Sequence, residues 1–366
     1  MKQIRMILVG GFLGSGKTTL LASAATRLIE QGNRVGLITN DQAADLVDTA
    51  LLRQANLDVR EIAGGCFCCR FGQLVETADQ IAKEISPDVI IGEPVGSCTD
   101  LSATVLQPIK DLHANAYRLA PLSVLVDPDR LRDVLDPRRR SAMHPSALYI
   151  LRKQLEEADL IVINKQDRLD VQARQELAAA TVAAFSGKPV YVVSALTGEG
   201  VGAWLDAVMR DDQAGRRIVD VDYDIYAEGE AALGWLNASA TLTAQDAVDW
   251  RAWSLNLLDH IQQATAAHNA QIAHVKLSLT AERGQIAANL TSTSGLSTIR
   301  GQISPAATSV MLVVNARVEV SAATLRSVVE SALAEVSGGR VIVNTEQMRS
   351  LSPGRPVPTH RYASVV

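Results

Sequence analysis

The chain has 366 residues, 47% hydrophobic and 20% charged, enough apolar side chain for more than one core and well outside the disordered class. Its 35 basic and 40 acidic residues leave a net charge of −5, which gives no general attraction to nucleic acid or to anionic membrane. Four cysteines are too few for a disulfide scaffold, and no apolar run approaches the ~20 residues of a membrane span, so a soluble cytoplasmic protein is expected.

Lys2, Arg5 and Met6–Val9, followed by Ala22–Ala25, imitate a secretory signal peptide, but Lys17 interrupts the apolar stretch. Residues 4–9 read instead as a strand buried on both faces. A glycine-rich turn follows, then a helix from Lys17 to about Gln31, with Gly32 as its stop. Further strands are predicted at 35–39, 88–91, 122–126, 160–163 and 190–193. Helical stretches at 73–85, 148–157 and 171–185 lie between them. Short Val/Ile/Leu strands alternating with helices indicate a mostly parallel, doubly wound α/β sheet.

After Met209 that rhythm is lost. Trp250, Trp253, Leu257, Ile261 and Ala264 form one face of a helix predicted over 246–268. Val275, Leu277 and Leu279 alternate with polar residues as a half-buried strand does. Residues 310–314 read as a central strand and 322–336 as a helix. The expected division is an α/β domain over 1–209, a linker over 210–222, a smaller α+β domain of ferredoxin-like pattern over 223–345, and a Pro-rich tail over 346–366. The tail either docks in extended form on a partner or frays. Arg138–Arg140 reads as a solvated loop or as a contact for phosphate or an acidic client.

Gly11-Phe-Leu-Gly14-Ser15-Gly16-Lys17-Thr18-Thr19 fits G-x-x-x-x-G-K-[ST] between a predicted strand and a predicted helix. The glycines let backbone N–H groups turn inward around phosphate, and the helix N-terminus adds a positive dipole end. Lys17 would reach the β/γ oxygens and the Thr18 hydroxyl would ligate Mg²⁺. Glu93, at the end of the strand predicted at 88–91, is the expected second holder of Mg²⁺ or its water. Asp41 is a further candidate for that shell, weighed evenly against a plain turn aspartate. Asn164-Lys165-Gln166-Asp167 follows the 160–163 strand. A carboxylate there accepts from N1–H and the N2 amino group of guanine, a pairing that adenine cannot satisfy. Ser194-Ala195 follows the next strand, beside the base. GTP and GDP are the expected ligands.

Gly64-Gly65-Cys66-Phe67-Cys68-Cys69 brings three soft thiolates together on a turn that two glycines make tight. They suit Zn²⁺ or another transition metal such as Co²⁺, and leave one tetrahedral position open. Cys98 is either the fourth ligand or a small buried hydrophobe. A disulfide is the competing reading, although neighbouring Cys68 and Cys69 would pair only with strain.

The phosphate loop, Gly65-Cys66-Phe67-Cys68-Cys69, Glu93-Pro-Val-Gly96 and Asn164-Lys-Gln-Asp167 together resemble the CobW/HypB/UreG family, and its CobW branch most. The resemblance covers residues 1 to about 209. It implies a GTP-hydrolysing metallochaperone in which the cysteine loop binds cargo metal, the nucleotide state controls its hold, and subunits often pair across the nucleotide. A client metalloenzyme or a corrinoid pathway is the expected recipient. Hydrolysis is expected to be slow unaided, because neither an arginine finger nor a water-positioning Gln is identifiable. The alternative is a GTP-driven activator of a cobalamin-dependent enzyme with a purely structural metal. A redox ATPase would require Asn164 and Asp167 to be coincidental.

Overall fold

The computed structural model describes residues 3–40, 57–136, 138, 139, 141 and 143–366. Its first layer is an eight-stranded sheet of β1 (Ile4–Gly11), β2 (Val35–Asn40), β3 (Asp58–Ile62), β4 (Val89–Glu93), β5 (Tyr117–Leu119), β6 (Ser123–Val126), β7 (Leu160–Ile163) and β8 (Val190–Val192). The order is β3-β2-β4-β1-β6-β7-β8, and every pairing is parallel. β5 and β6 share one edge of β1, at Ile4–Met6 and at Val9–Gly11.

A parallel sheet needs crossover helices on its faces, and β1 shows the result. Met6 and Leu8 enter the core beneath helices Phe71–Ile85 and Pro145–Glu157. Ile7 and Val9 enter the opposite core, beneath helices Lys17–Glu30 and Val201–Arg210. The doubly wound expectation holds, and its strands and helices fall within a few residues of their predicted bounds. β3 and β5 carry no clear sequence signal. Asp58-Val-Arg-Glu-Ile62 carries charge at three of its five positions because it is an edge strand, and β5 has three residues.

The second layer is antiparallel: β9 (Gly234–Ala244), β10 (Ile272–Thr280), β11 (Gly284–Leu290), β12 (Thr298–Ile303), β13 (Ser309–Val318) and β14 (Val341–Leu351), in the order β12-β11-β10-β13-β9-β14. Without β11 and β12 the order β10-β13-β9-β14, with a helix after β9 and after β13, is the ferredoxin-like arrangement. The β11–β12 hairpin extends one edge. Helices Trp250–Ala267 and Ala322–Ser337 cover one face, the first burying Leu257, Leu258 and Ile261 over β10–β12 and the second burying Leu325 and Val329 over β9 and β14. Each such side chain contributes about 1.5–3 kcal/mol of transfer free energy. The Asp249 carboxylate caps the first of these helices by accepting from the Arg251 and Ala252 N–H groups.

Two expected boundaries are corrected. Residues 210–222 are no free linker: the buried Asp159 carboxylate accepts from the Gly215 and Arg216 N–H groups at 2.6 and 2.9 Å, and Ala214 and Val221 are buried in the first core. Helix Tyr223–Ala231 packs on helix Pro145–Glu157, so the change from one core to the other comes at Trp235–Leu236. The expected break at 345/346 falls inside β14, where ladder pairing with β9 continues to Leu351. Among the described residues no helix is long and apolar enough to cross a membrane.

Candidate functional site

The turn after β1 carries the phosphate-binding signature. Gly16, the residue before helix Lys17–Glu30, has φ 97°, and a Cβ there would lie 2.4 Å from Asn164 Nδ2. Only glycine permits both that conformation and that contact. Lys17 Nζ reaches back over the loop to donate to the Gly11 and Phe12 carbonyls at 2.8 and 3.4 Å. The Ser15 hydroxyl is buried and has no hydrogen-bond partner, a donor facing a cradle built for an anion. The Thr18 hydroxyl lies 3.1 and 3.0 Å from the two Glu93 oxygens, donating to that carboxylate. β1 and β4 are neighbours in the sheet, which sets the Thr18 and Glu93 oxygens side by side. Hard oxygen donors in that arrangement fit Mg²⁺. Asp41 lies outside the described residues.

Asn164 joins the phosphate loop to the base-side loops. Its Nδ2 donates to Ser15 O at 2.8 Å and its Oδ1 accepts from Ala195 N at 2.9 Å. Ser194 Oγ donates to Asp167 Oδ1 at 2.6 Å, which fixes the carboxylate while its residue stays exposed toward solvent. Lys165 takes a left-handed φ of 61° and is mostly buried, with burial lowering its pKa; its Nζ is 4.0 Å from Asp127 Oδ2. The structure therefore brings Gly11, Gly14, Ser15, Gly16, Lys17, Thr18, Thr19, Asn164, Lys165, Asp167, Ser194 and Ala195 to one end of the parallel sheet, the carboxyl ends of its strands.

The cysteine turn sits at that same end, after β3. Cys66 Sγ is 2.9 Å from Cys68 Sγ and 3.1 Å from Cys69 Sγ, and Cys68 and Cys69 are 3.8 Å apart. All four cysteines are free thiols, so the disulfide reading is not realised. Cys66, Cys68 and Cys69 are the one His/Cys/Asp/Glu group among the described residues whose ligand atoms converge as for a metal, all within 4.8 Å. Hydrogen bonding with Cys68, then with Cys69, holds Cys66 well below the ordinary thiol range. The hydrogen bond with Cys66 pushes Cys69 up to about 11, and the same bond pushes Cys68 higher still. Three sulfurs this close together, buried or half-buried, are a starting point for a soft cation.

Several supporting residues carried no recognisable signal. Asn40, at the end of β2, donates to Ile62 O and Gly65 O at 3.0 and 2.7 Å, tying the cysteine turn to the sheet. Glu230, on helix Tyr223–Ala231, lies behind the sulfurs; burial pushes its carboxyl up to about 8, and it accepts from the Ser97 hydroxyl. The C-terminal tail crosses the turn. Thr359 donates to Cys68 O through its N–H at 2.9 Å and to Cys69 O through its hydroxyl at 3.3 Å. The His360 ring stands edge-on to Phe71 at 5.0 Å, and Arg361 pairs with the buried Asp100 at 2.7 Å. Docking or fraying was the expectation for this tail, and it docks on its own chain.

A parallel sheet with this loop, this base-side loop and this Thr/Glu pair defines a P-loop nucleotide-binding protein. Residues 5–192, just over half of the chain, match the CobW/HypB/UreG nucleotide-binding domain, and the chain belongs to that family. It is 31% identical over 180 residues to the zinc chaperone YeiR of Escherichia coli, covering 47% of this chain and 50% of that protein. It is 27% identical over 224 residues to the zinc chaperone CobW of Pseudomonas aeruginosa, covering 54% of this chain and 58% of that protein. The chain thus spans little more than half the length of these relatives. Among solved structures, Zn(II)-bound YjiA GTPase from E. coli shares 15% identity over 91% of this chain and 99% of that one, at a TM-score of 0.37. Nickel-bound HypB from Helicobacter pylori shares 18% identity over 56% and 86%, at a TM-score of 0.38. Likeness at that level is too loose to transfer residue positions.

Proposed function

We propose that this chain is a GTP-hydrolysing metallochaperone whose cargo is a thiophilic divalent cation, Zn²⁺ in the first instance. The observation that carries the reading is the three-sulfur turn standing at the same sheet end as the phosphate loop. Family membership and the names of the relatives support it. GTP is selected by Asp167, with Ser194 holding the carboxylate. Thr18 and Glu93 would hold Mg²⁺, which supplies charge neutralisation between the β- and γ-phosphates. Lys17 and the loop N–H groups stabilise charge as water attacks the γ-phosphoryl and GDP and phosphate form.

Cys66, Cys68 and Cys69 hold the cargo until hydrolysis releases it to a client metalloprotein. Co²⁺ fits the same sulfurs. The test combines Zn²⁺ titration of the wild type and of a Cys66/Cys68/Cys69→Ser triple variant with GTP and ATP competition. One equivalent bound by the wild type and none by the variant, with GTP preferred, is the expected result. Unchanged binding in the variant would remove the site. Metal retained through many rounds of hydrolysis would assign it a structural role instead.

A further inference from the structure

The two halves of the cysteine turn are held by different parts of the chain. The front half is held by the first sheet and by the turn itself. Asn40 Nδ2 donates to Gly65 O at 2.7 Å, the Arg70 guanidinium donates to Gly64 O, and the Arg70 N–H donates to Cys66 O at 2.9 Å. The rear half meets the C-terminal tail, through the Thr359 N–H on Cys68 O and the Thr359 hydroxyl on Cys69 O. The tail is pinned on both sides of Thr359. Before it, Pro353 and Pro356 are buried and Arg355 pairs with Asp224 at 2.9 Å. After it, the His360 ring packs on Phe71, the first residue of the helix that follows the turn, and Arg361 pairs with the buried Asp100. Both guanidiniums lie over the Tyr223 ring, 5.8 and 5.9 Å from its centroid.

We propose that the tail is a strap forming one wall of the cargo-metal site, with Thr359 as a positioning residue, and that this strap must lift for the metal to leave. This rests on the metallochaperone reading and goes beyond it. A cysteine sulfur points where its backbone directs it, so donors on the Cys68 and Cys69 carbonyls orient two of the three converging sulfurs. The strap is also built to move. Residues 352–366 form neither helix nor strand, so no ladder has to break when they lift. Pro353, Pro356 and Pro358 keep the segment extended at little conformational cost. Its contacts with the turn are polar groups at the surface, which water replaces one at a time. The exposed Arg355–Asp224 pair holds it weakly, while Arg361 on the buried Asp100 is the firm anchor. A client thiolate or imidazole reaches the ion once Thr359 has left the turn.

The experiment is a Co²⁺ titration of the full chain, followed by challenge with excess chelator, on the wild type, Thr359→Pro, Thr359→Ser and Arg361→Ala. It reads the ligand-field bands, the affinity and the rate of metal loss. Thr359→Pro deletes both donors and Thr359→Ser keeps both. Arg361→Ala frees the strap from Asp100 without touching the turn, which covers the case of a proline that disturbs the fold. Thr359→Pro should shift the ligand-field bands and weaken Co²⁺ by roughly 10- to 100-fold, as loss of the partners around a metal's ligands does. A loss of stability alone would leave those bands in place. Thr359→Ser should match the wild type, and Arg361→Ala should lose metal several-fold faster. Wild-type bands, affinity and loss rate in both Thr359→Pro and Arg361→Ala overturn the strap. A Thr359→Ser as impaired as Thr359→Pro overturns the role given to its two donors. With one equivalent bound by the wild type, either result leaves the metallochaperone reading standing. No metal bound by the wild type removes both.

Discussion

In the proposed function, selectivity for guanine rests on a single carboxylate, that of Asp167. Asp167→Asn replaces an acceptor facing two donors with a group that offers one of each, so GTP should weaken by about 1–3 kcal/mol and xanthosine triphosphate should gain. Competition binding with both nucleotides and with ATP checks this; a wild type that holds ATP as tightly as GTP removes Asp167 from the base site. Glu157 is a second telling residue. It is fully buried under Ser102 N and Thr99 Oγ1, and burial pushes its carboxyl up to about 8. Since its folded pKa lies above its unfolded value, its contribution to stability is complete below about pH 4.5 and is lost as pH rises to about 8. Glu230 shifts in the same direction. Glu157→Gln should make the fall in stability across that range shallower by up to about 1.4 kcal/mol per pH unit, read from urea midpoints at several pH values. An unchanged slope would mean that Glu157 stays ionised in the fold.

Among the elements, the tail is the one whose role the fold defines most sharply. Thr359 places an N–H and a hydroxyl on the cysteine turn, and the Tyr362 N–H donates to Ala103 O just past Cys98. Ending the chain after Leu351 should leave both sheets folded while exposing the sulfurs. Thiol labelling by a disulfide reagent should then speed several-fold; an unchanged rate would show that the tail does not shield the turn. Arg361→Ala removes the guanidinium from a buried Asp100 carboxylate that keeps only the Tyr223 hydroxyl, at 2.9 Å. The expected cost is about 1–3 kcal/mol, measured by denaturant titration, reduced because Arg361 itself is partly exposed.

At the scale of the molecule, the two sheets meet at the phosphate loop. A Cβ on Gly14 would lie 3.2 Å from Ala273 O and 3.4 Å from Thr291, so the second domain backs directly onto the loop. His274, next along β10, is kept neutral by burial, with Lys276, Arg317 and Lys17 adding to the effect. GTP at a hundredfold over its dissociation constant should stabilise the wild type by ~2.7 kcal/mol, and Lys17→Ala should abolish that gain while keeping the fold. Hydrogen exchange should show added protection in residues 270–291 as well as in the first domain. Protection confined to the first domain would mean that the second does not sense the nucleotide.

Local patterns carried much of this protein in plain view. The Val/Ile/Leu strands, the phosphate loop, Asn164–Asp167 and the Cys66–Cys69 turn are each contiguous, because phosphate cradles, base loops and thiolate turns are built from neighbouring residues whose backbone must take one shape. The doubly wound sheet followed from the same alternation, and the Trp250–Ile261 stripe announced its helix. Tertiary structure alone decided what depends on distant segments meeting. The polar run 210–222 reads as a linker because its partner, the buried Asp159 carboxylate, lies more than fifty residues earlier. The tail reads as either docked on a partner or frayed because its hydrogen bonds go to a turn of its own chain about 290 residues away. Spacing along a chain encodes helices, strands and turns; which loops share one end of a sheet is set by how the strands are ordered.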